Sequence, residues 1–358
     1  MFQFQESKKM IEKISNPFRA IKNFLSKTAF ITLLVFPSFA ASEEINIYSH
    51  RQPFLINPFL EAFTKKTGIE TNVVYSTKGL AQRLKAEGQN SPADVILTVD
   101  IGRLYVYADM DLLAKIDSKK LIENIPEHLR SDDNTWFGLS KRSRIIVISK
   151  TRVKPNTILR VEDLAKPELK GKICSRPGSH VYNRALMASI IATHGPEYAT
   201  KWASGLVGNL ARRPQGNDRA QVKAIYEGQC DIAIINNYYY GKLKYSKDAN
   251  QRAWAEELSL IFPNQGNGDR GAHINISGGG IAKFSKNKQN AIRFLEFLSE
   301  ETAQKLYSEI NFEYPVNPNV RPLETLDSWG EFKEDQIPIL KIALLSRQAQ
   351  KIIDSVGW

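Results

Sequence analysis

INIYSHRQPFLINPFLEAFTKKTGIETNVVYSTKGLAQRLKAEGQNSPADVILTV (45–99) decides the fold. Three β-like runs, INIYS (45–49), TNVVY (71–75) and ADVILTV (93–99), alternate with two helical stretches. Asn57-Pro58 reads as an N-cap followed by proline at the first helical position. It opens a helix whose apolar side carries Phe59, Leu60 and Phe63 and which Gly68 ends. Gly79 introduces a shorter helix running to Glu87. The apolar run 93–99 suits a parallel strand covered on both faces, and the β-α-β-α-β order specifies a doubly wound α/β unit.

Further along, the theme repeats. KGKICSR (170–176) reads as a strand, 178–195 contains a long helix, a helix runs from Asp218 to about Gly228, and CDIAIIN (230–236) is another strand. Between these halves, WFGLSKRSRIIVISK (136–150) is long enough to cross from one lobe to another, and HINISGGGIAK (273–283) reads as a second crossing. Two strands passing between two α/β lobes describe a clamshell with a cleft at its hinge. Helices are expected at 287–300, about 300–309 and 337–355, so each lobe is discontinuous: 41–141 plus 270–315, and 142–269 plus 316–358.

The chain has 358 residues, enough for two domains with their own cores. Residues 1–40 read as a secretory signal peptide: a basic stretch with Lys8, Lys9, Lys13, Arg19, Lys22 and Lys27, then AFITLLVFPSFA (29–40), ending in small residues. That apolar run is too short for a permanent anchor. Residues 1–40 hold six basic and two acidic side chains, so cleavage there lowers the net charge from +11 to +7. No basic tail or nucleic-acid motif accompanies that charge. Cys174 and Cys230 are the only cysteines. In an oxidising compartment they could pair, or each could stay a free buried thiol; the sequence leaves both open.

Enzyme signatures are missing: there is no H-E-x-x-H, G-x-S-x-G, Walker P-loop or nucleophile–base pair. Gly266-Asn-Gly268-Asp-Arg-Gly271 fits G-x-G-x-x-G literally but leads into an extended run, so it reads as a loop and not a dinucleotide site. Tyr238-Tyr239-Tyr240, directly after CDIAIIN, is more informative. Phenolates are hard anionic donors suited to a small trivalent cation. Neighbours on a strand face opposite ways, so adjacent tyrosines share an ion only where the chain turns, as at a strand-to-helix junction. Packing is the competing explanation for such aromatics. Tyr182 falls in the first turn of the helix after GSH, where free N–H groups favour anions. Arg142 and Arg144 share one phase of the crossing strand and are candidate anion clamps. His50 and Arg51 follow the first strand, at the end where ligands collect in α/β sheets.

Taken together, these segments resemble the periplasmic ferric-iron-binding proteins of bacterial ABC importers. The resemblance is carried by YSHRQP (48–53), SPAD (91–94), 136–150, 163–183, ARRPQGNDR (211–219), NNYYYGKL (236–243) and EYPVNP (313–318), and spans nearly all of the chain after the signal peptide. It implies a type II periplasmic binding-protein fold with Fe(3+) as cargo in the cleft. Tyr182, Tyr238 and Tyr239 would bind the metal, Tyr240 would pack into its own lobe, and Arg51 and Arg142 would hold a carbonate-type anion. A non-enzymatic periplasmic monomer delivering to an inner-membrane ABC permease and its ATPase follows from the same resemblance. Three departures stand out. Gln52-Pro53 replaces the His or His-Tyr that some relatives supply after the arginine, and His50 replaces a tyrosine, which leaves His50 a candidate ligand. Gly79-Leu80 occupies the region where another branch places an acidic ligand. The alternative within binding proteins is that an anionic solute is itself the cargo, since fold does not fix the ligand.

Overall fold

The computed structural model describes residues 43–358, so the expected signal peptide (1–40) lies outside the described residues. Nine strands are assigned among these: β1 (Glu44–Ser49), β2 (Glu70–Tyr75), β3 (Val95–Thr98), β4 (Leu113–Ala114), β5 (Trp136–Ser149), β6 (Ile173–Cys174), β7 (Ile232–Asn236), β8 (Leu258–Ile261) and β9 (Ile274–Ala282). They are ordered β2-β1-β3-β9-β5-β7-β6, with β4 beside β9 and β8 beside β5. As the opening stretch requires, β1 runs parallel to both β2 and β3.

The two expected crossing strands are present, and they pair with each other. β5 is antiparallel to β9 from Trp136 to Ser143, then turns to β7 from Arg144 to Ile148. A single strand thus serves two sheets and changes partner at Ser143/Arg144. The glycine run of β9 explains how strands crowd here: a Cβ at Gly278 would lie 2.7 Å from the Phe137 carbonyl oxygen, and one at Gly279 2.7 Å from that of Ile96.

The first seven helices are α1 (Pro53–Thr67), α2 (Leu80–Glu87), α3 (Ile101–Asp109), α4 (Lys119–Asn124), α5 (Val181–Gly208), α6 (Asp218–Tyr226) and α7 (Asn237–Lys244), and α1, α3, α5, α6 and α7 contribute side chains to the cleft cavity. Three helix boundaries and one strand differ from expectation. α1 begins at Pro53, because that proline already occupies the first helical position; Pro58 sits inside the helix. The stretch α5 passes the expected end and continues beyond Gly195, whose φ of 82° makes it two helices meeting at a kink. The C-terminal helix is two, Ile339–Leu344 and Ser346–Val356, with Pro338 setting the start of the first. The strand expected over 170–176 shortens to Ile173–Cys174. Gly266–Gly271 is a loop, with Gly268 and Gly271 at positive φ.

Cys174 and Cys230 form a disulfide, which resolves the alternatives left open by the sequence. It joins β6 to the residue leading into Asp231 and β7, at the end of β7 away from the tyrosine-bearing junction. Tyr240 packs edge-on against Trp329 and beside the small core of this region, as expected of a packing residue.

Candidate functional site in the cleft

Chain geometry at Asn236 settles how adjacent tyrosines can face one way. β7 ends there and Asn236 caps α7, so Tyr238 and Tyr239 lie in the first turn of a helix instead of alternating across a strand. Their rings stand 4.5 Å apart, tilted by 37°. Tyr182 occupies the first turn of α5, and its backbone N–H donates to Nδ1 of the capping His180 at 3.3 Å. The two helix starts converge: Tyr238 Oη donates to Tyr182 Oη at 2.9 Å, and Asn236 Nδ2 donates to Tyr238 Oη at 3.2 Å. All three phenols line a cavity of about 360 Å³ together with His50, Arg51 and Arg142.

Burial holds the Tyr238 hydroxyl well above its ordinary pKa; Tyr182 and Tyr239 add to the effect while Arg142 opposes it. Tyr239 is raised as well, by burial first and then by Tyr182 and Asp218, against Arg176. Without a cation, Tyr238 and Tyr239 therefore keep their protons at neutral pH. The surroundings are nevertheless prepared for negative charge. The guanidiniums of Arg176, Arg142 and Arg144 lie 5.1, 5.7 and 5.9 Å from the Tyr182 ring centre. Both helix starts add their dipoles.

Below the phenols, Asp218 is fully buried and organises the wall. It accepts from Arg144 Nη1 at 2.5 Å, Arg176 Nη1 at 2.9 Å and the Asn236 backbone N–H at 2.9 Å. Burial alone would raise its carboxyl, but Arg144 and Arg176 outweigh that and hold it below the usual range. This corrects the placement expected for Arg144: the strand twists as it changes partner, so Arg144 points to Asp218 and Asn183 and does not line the cleft cavity. Asp218 was unrecognised as a single acid in ARRPQGNDR, though its place at the start of α6 was legible.

Arg51 and Arg142 meet at the opposite wall, through partners invisible in the local sequence. Arg51 Nη2 donates to Glu313 Oε2 at 2.8 Å and to Ser277 Oγ at 2.5 Å; Ser140 Oγ donates to the same Glu313 oxygen at 2.5 Å. Burial pushes Glu313 up, yet Arg51, Arg142 and the Ser140 hydroxyl bond together keep it below the usual carboxylate range. Arg142 donates to the Val99 carbonyl oxygen and to Ser277 Oγ, and lies 3.6 Å from Asp100 Oδ2. His50 Nε2 is 2.9 Å from Tyr107 Oη, while its buried Nδ1 has no hydrogen-bond partner. Burial, with Arg103, lowers its pKa to about 4, so the ring is neutral at neutral pH.

Lys242 was also missed, although it lies four residues after Tyr238 and thus on the same helix face. Its ammonium stands 5.7 Å from the Tyr238 ring centre, and burial lowers its pKa to about 8. Among the described residues no three His, Cys, Asp or Glu side chains cluster as a metal site, so the converging oxygen donors here are phenols.

Two α/β sheets sharing crossing strands, with convergent side chains in a cleft between them, define a type II periplasmic binding protein. Residues 59–334 match the family described as bacterial extracellular solute-binding protein, and the chain belongs to it. Among curated relatives, it is 42% identical to iron uptake protein A1 of Synechocystis, covering 88% of each chain. Among solved structures, ferric iron-binding protein A of Mannheimia haemolytica, in an open conformation, superposes with a TM-score of 0.83 at 49% identity, over 88% of this chain and 98% of that one. A Trichodesmium protein in complex with iron and citrate ligands gives 0.84 at 44% identity, over 88% and 99%. These relatives are binding and uptake proteins and not enzymes, in line with the missing catalytic signatures.

Proposed function

We propose that this chain captures ferric iron in the periplasm and delivers it to an inner-membrane ABC permease driven by its ATPase. The observation that carries the proposal is the 2.9 Å approach of Tyr182 Oη to Tyr238 Oη, with Tyr239 in the same cavity. In this proposal the phenolates of Tyr182, Tyr238 and Tyr239 bind the ion, and three negative charges balance Fe(3+). An exogenous anion such as carbonate completes the coordination against Arg51 and Arg142; the citrate bound with iron in the Trichodesmium protein supports an exogenous anion of some kind. His50, neutral and with a bare Nδ1, is a candidate additional donor from the facing wall. Residues 41–141 plus 270–315 and 142–269 plus 316–358 form the two lobes, supported by the partner change of β5 at Ser143/Arg144. Export on the segment 1–40 and action as a monomer belong to the same proposal.

Because Tyr238 and Tyr239 hold their protons tightly, iron must displace them, and affinity falls as pH drops by about tenfold per pH unit for each proton released. Purified protein loaded with ferric iron should show a visible tyrosinate-to-iron charge-transfer band. The double variant Tyr238→Phe/Tyr239→Phe should lose the band and bind iron at least about a thousandfold more weakly, three lost decades at about 1.4 kcal/mol each. Retention of both colour and affinity in that variant would falsify the ligand assignment.

A further inference from the structure

Consecutive residues of two extended segments face opposite ways at the crossing strands. On β5, Arg142 lines the cleft cavity while Lys141 lines a second cavity of about 350 Å³. Lys141 exchanges backbone hydrogen bonds with Tyr314 at 2.9 and 2.7 Å, and the alternation repeats there: Glu313 lines the cleft and Tyr314 the second cavity. This cavity therefore lies behind the strand that carries the cleft arginine. Its walls include the rings of Tyr314 and Phe332, packed edge-on at 5.1 Å, with Val320 and Pro322. Three carboxylates, those of Asp327, Glu331 and Glu334, line it against one basic side chain, Lys141, in a chain whose net charge is +11. Lys141 is engaged by Glu334 at 2.7 Å, whereas Asp327 and Glu331 are exposed and make no salt bridge among the described residues. Acidic residues alone mark only a solvated surface. Here they surround Tyr314, which is 5% exposed and whose buried hydroxyl has no hydrogen-bond partner. Burial raises the pKa of that hydroxyl and the Asp327 charge raises it further, so it stays protonated within reach of Asp327. A buried polar atom left unpaired beside an open cavity is what a polar ligand satisfies.

We propose that this cavity is a second ligand site, separate from the cleft, which takes a small organic cation: an ammonium or guanidinium on a short apolar stem. Asp327 and Glu331 offset its charge, and Tyr314 Oη accepts one N–H of the head group. The Tyr314 and Phe332 rings, with Val320 and Pro322, cover the stem. The volume falls in the range of about 300–1,000 Å³ typical of small-molecule pockets. The recessed acceptor favours such a ligand over the flat surface of a protein. The site stands apart from the ferric reading and needs no iron.

The test titrates agmatine, which carries a guanidinium and an ammonium on a short alkyl stem, into the iron-free chain from residue 41 onward, read by calorimetry at low salt. The expected result is saturable binding tighter than about 1 mM, with none for uncharged 1,4-butanediol. The variant Asp327→Asn/Glu331→Gln, at exposed positions, should bind agmatine at least about tenfold more weakly. Tyr314→Phe, which removes only the hydroxyl, should weaken it about tenfold. Both variants should bind ferric iron as the unmodified chain does, because none of the three residues lines the cleft cavity. Absence of saturable binding to the unmodified chain overturns the site, as does equal affinity for agmatine in either variant. An equal affinity for 1,4-butanediol overturns the assignment of a cation. Binding of a tetra-arginine peptide by a chain inert to agmatine also overturns it, and makes the cavity a docking point for a basic protein segment.

Discussion

The two walls of the cleft are built to different rules. The wall bearing the phenols is anchored: α5 and α7 present their first turns to one point, Asp218 ties Arg144, Arg176 and the Asn236 backbone beneath them, and the Cys174–Cys230 disulfide ties β6 to the far end of β7. The facing wall is held by contacts distant in sequence: Arg51 owes its position to Glu313, 262 residues away, while His50 keeps a bare Nδ1 and Arg103 makes no salt bridge among the described residues. Donors that must meet one small ion within a few tenths of an ångström need a rigid support. In the proposed function the anchored wall supplies the metal ligands and the facing wall the anion contacts.

The largest test of that contrast is Asp218→Ala. It leaves two buried guanidiniums without their carboxylate and should destabilise the protein by about 3–5 kcal/mol, measured as a shift in the urea midpoint. A loss under about 1 kcal/mol would mean that the phenol wall does not depend on this carboxylate. Next is Cys174→Ser/Cys230→Ser. The bond spans a separation of 56 residues, and its removal should cost about 2–4 kcal/mol by the same measurement. Since the disulfide lies at the end of β7 away from the phenols, iron colour should survive in the fraction that folds. The smallest effect belongs to the facing wall. His50, with a pKa lowered to about 4, resists a proton that the unfolded chain accepts at the ordinary value, so its stabilising effect is lost as pH falls below about 6.5 toward 4. Allowing for partial exposure, the unmodified chain should lose about 1–2 kcal/mol over that window that His50→Gln does not lose. Identical pH profiles for the two proteins would remove His50 from the account.

Much of this architecture was legible because its signals are local. The alternation over 45–99, the long run 136–150 and the glycine-rich 273–283 each specify an element through neighbouring residues, and all three appear where expected. The junction after Asn236 was legible for the same reason. Helix limits were less so: Pro53 outranked Pro58 as a helix start, and Gly195 kinked a segment without ending it. The phases of Arg142 and Arg144 on one strand are identical, yet they serve different walls, because β5 exchanges β9 for β7 between them.

Composition, periodicity and the tyrosine run by themselves determined a two-sheet α/β chain with phenols at a strand-to-helix turn, since backbone geometry at such a turn depends only on nearby residues. Which charges neutralise each other was decided by tertiary structure alone. Glu313 reaches Arg51 and Asp218 reaches Arg176 across long stretches of chain, and there the arginines outweigh burial and hold both carboxyls below the usual range. Electrostatic energy depends on distance in space and on exclusion of water, and neither is written in the spacing of residues along the chain.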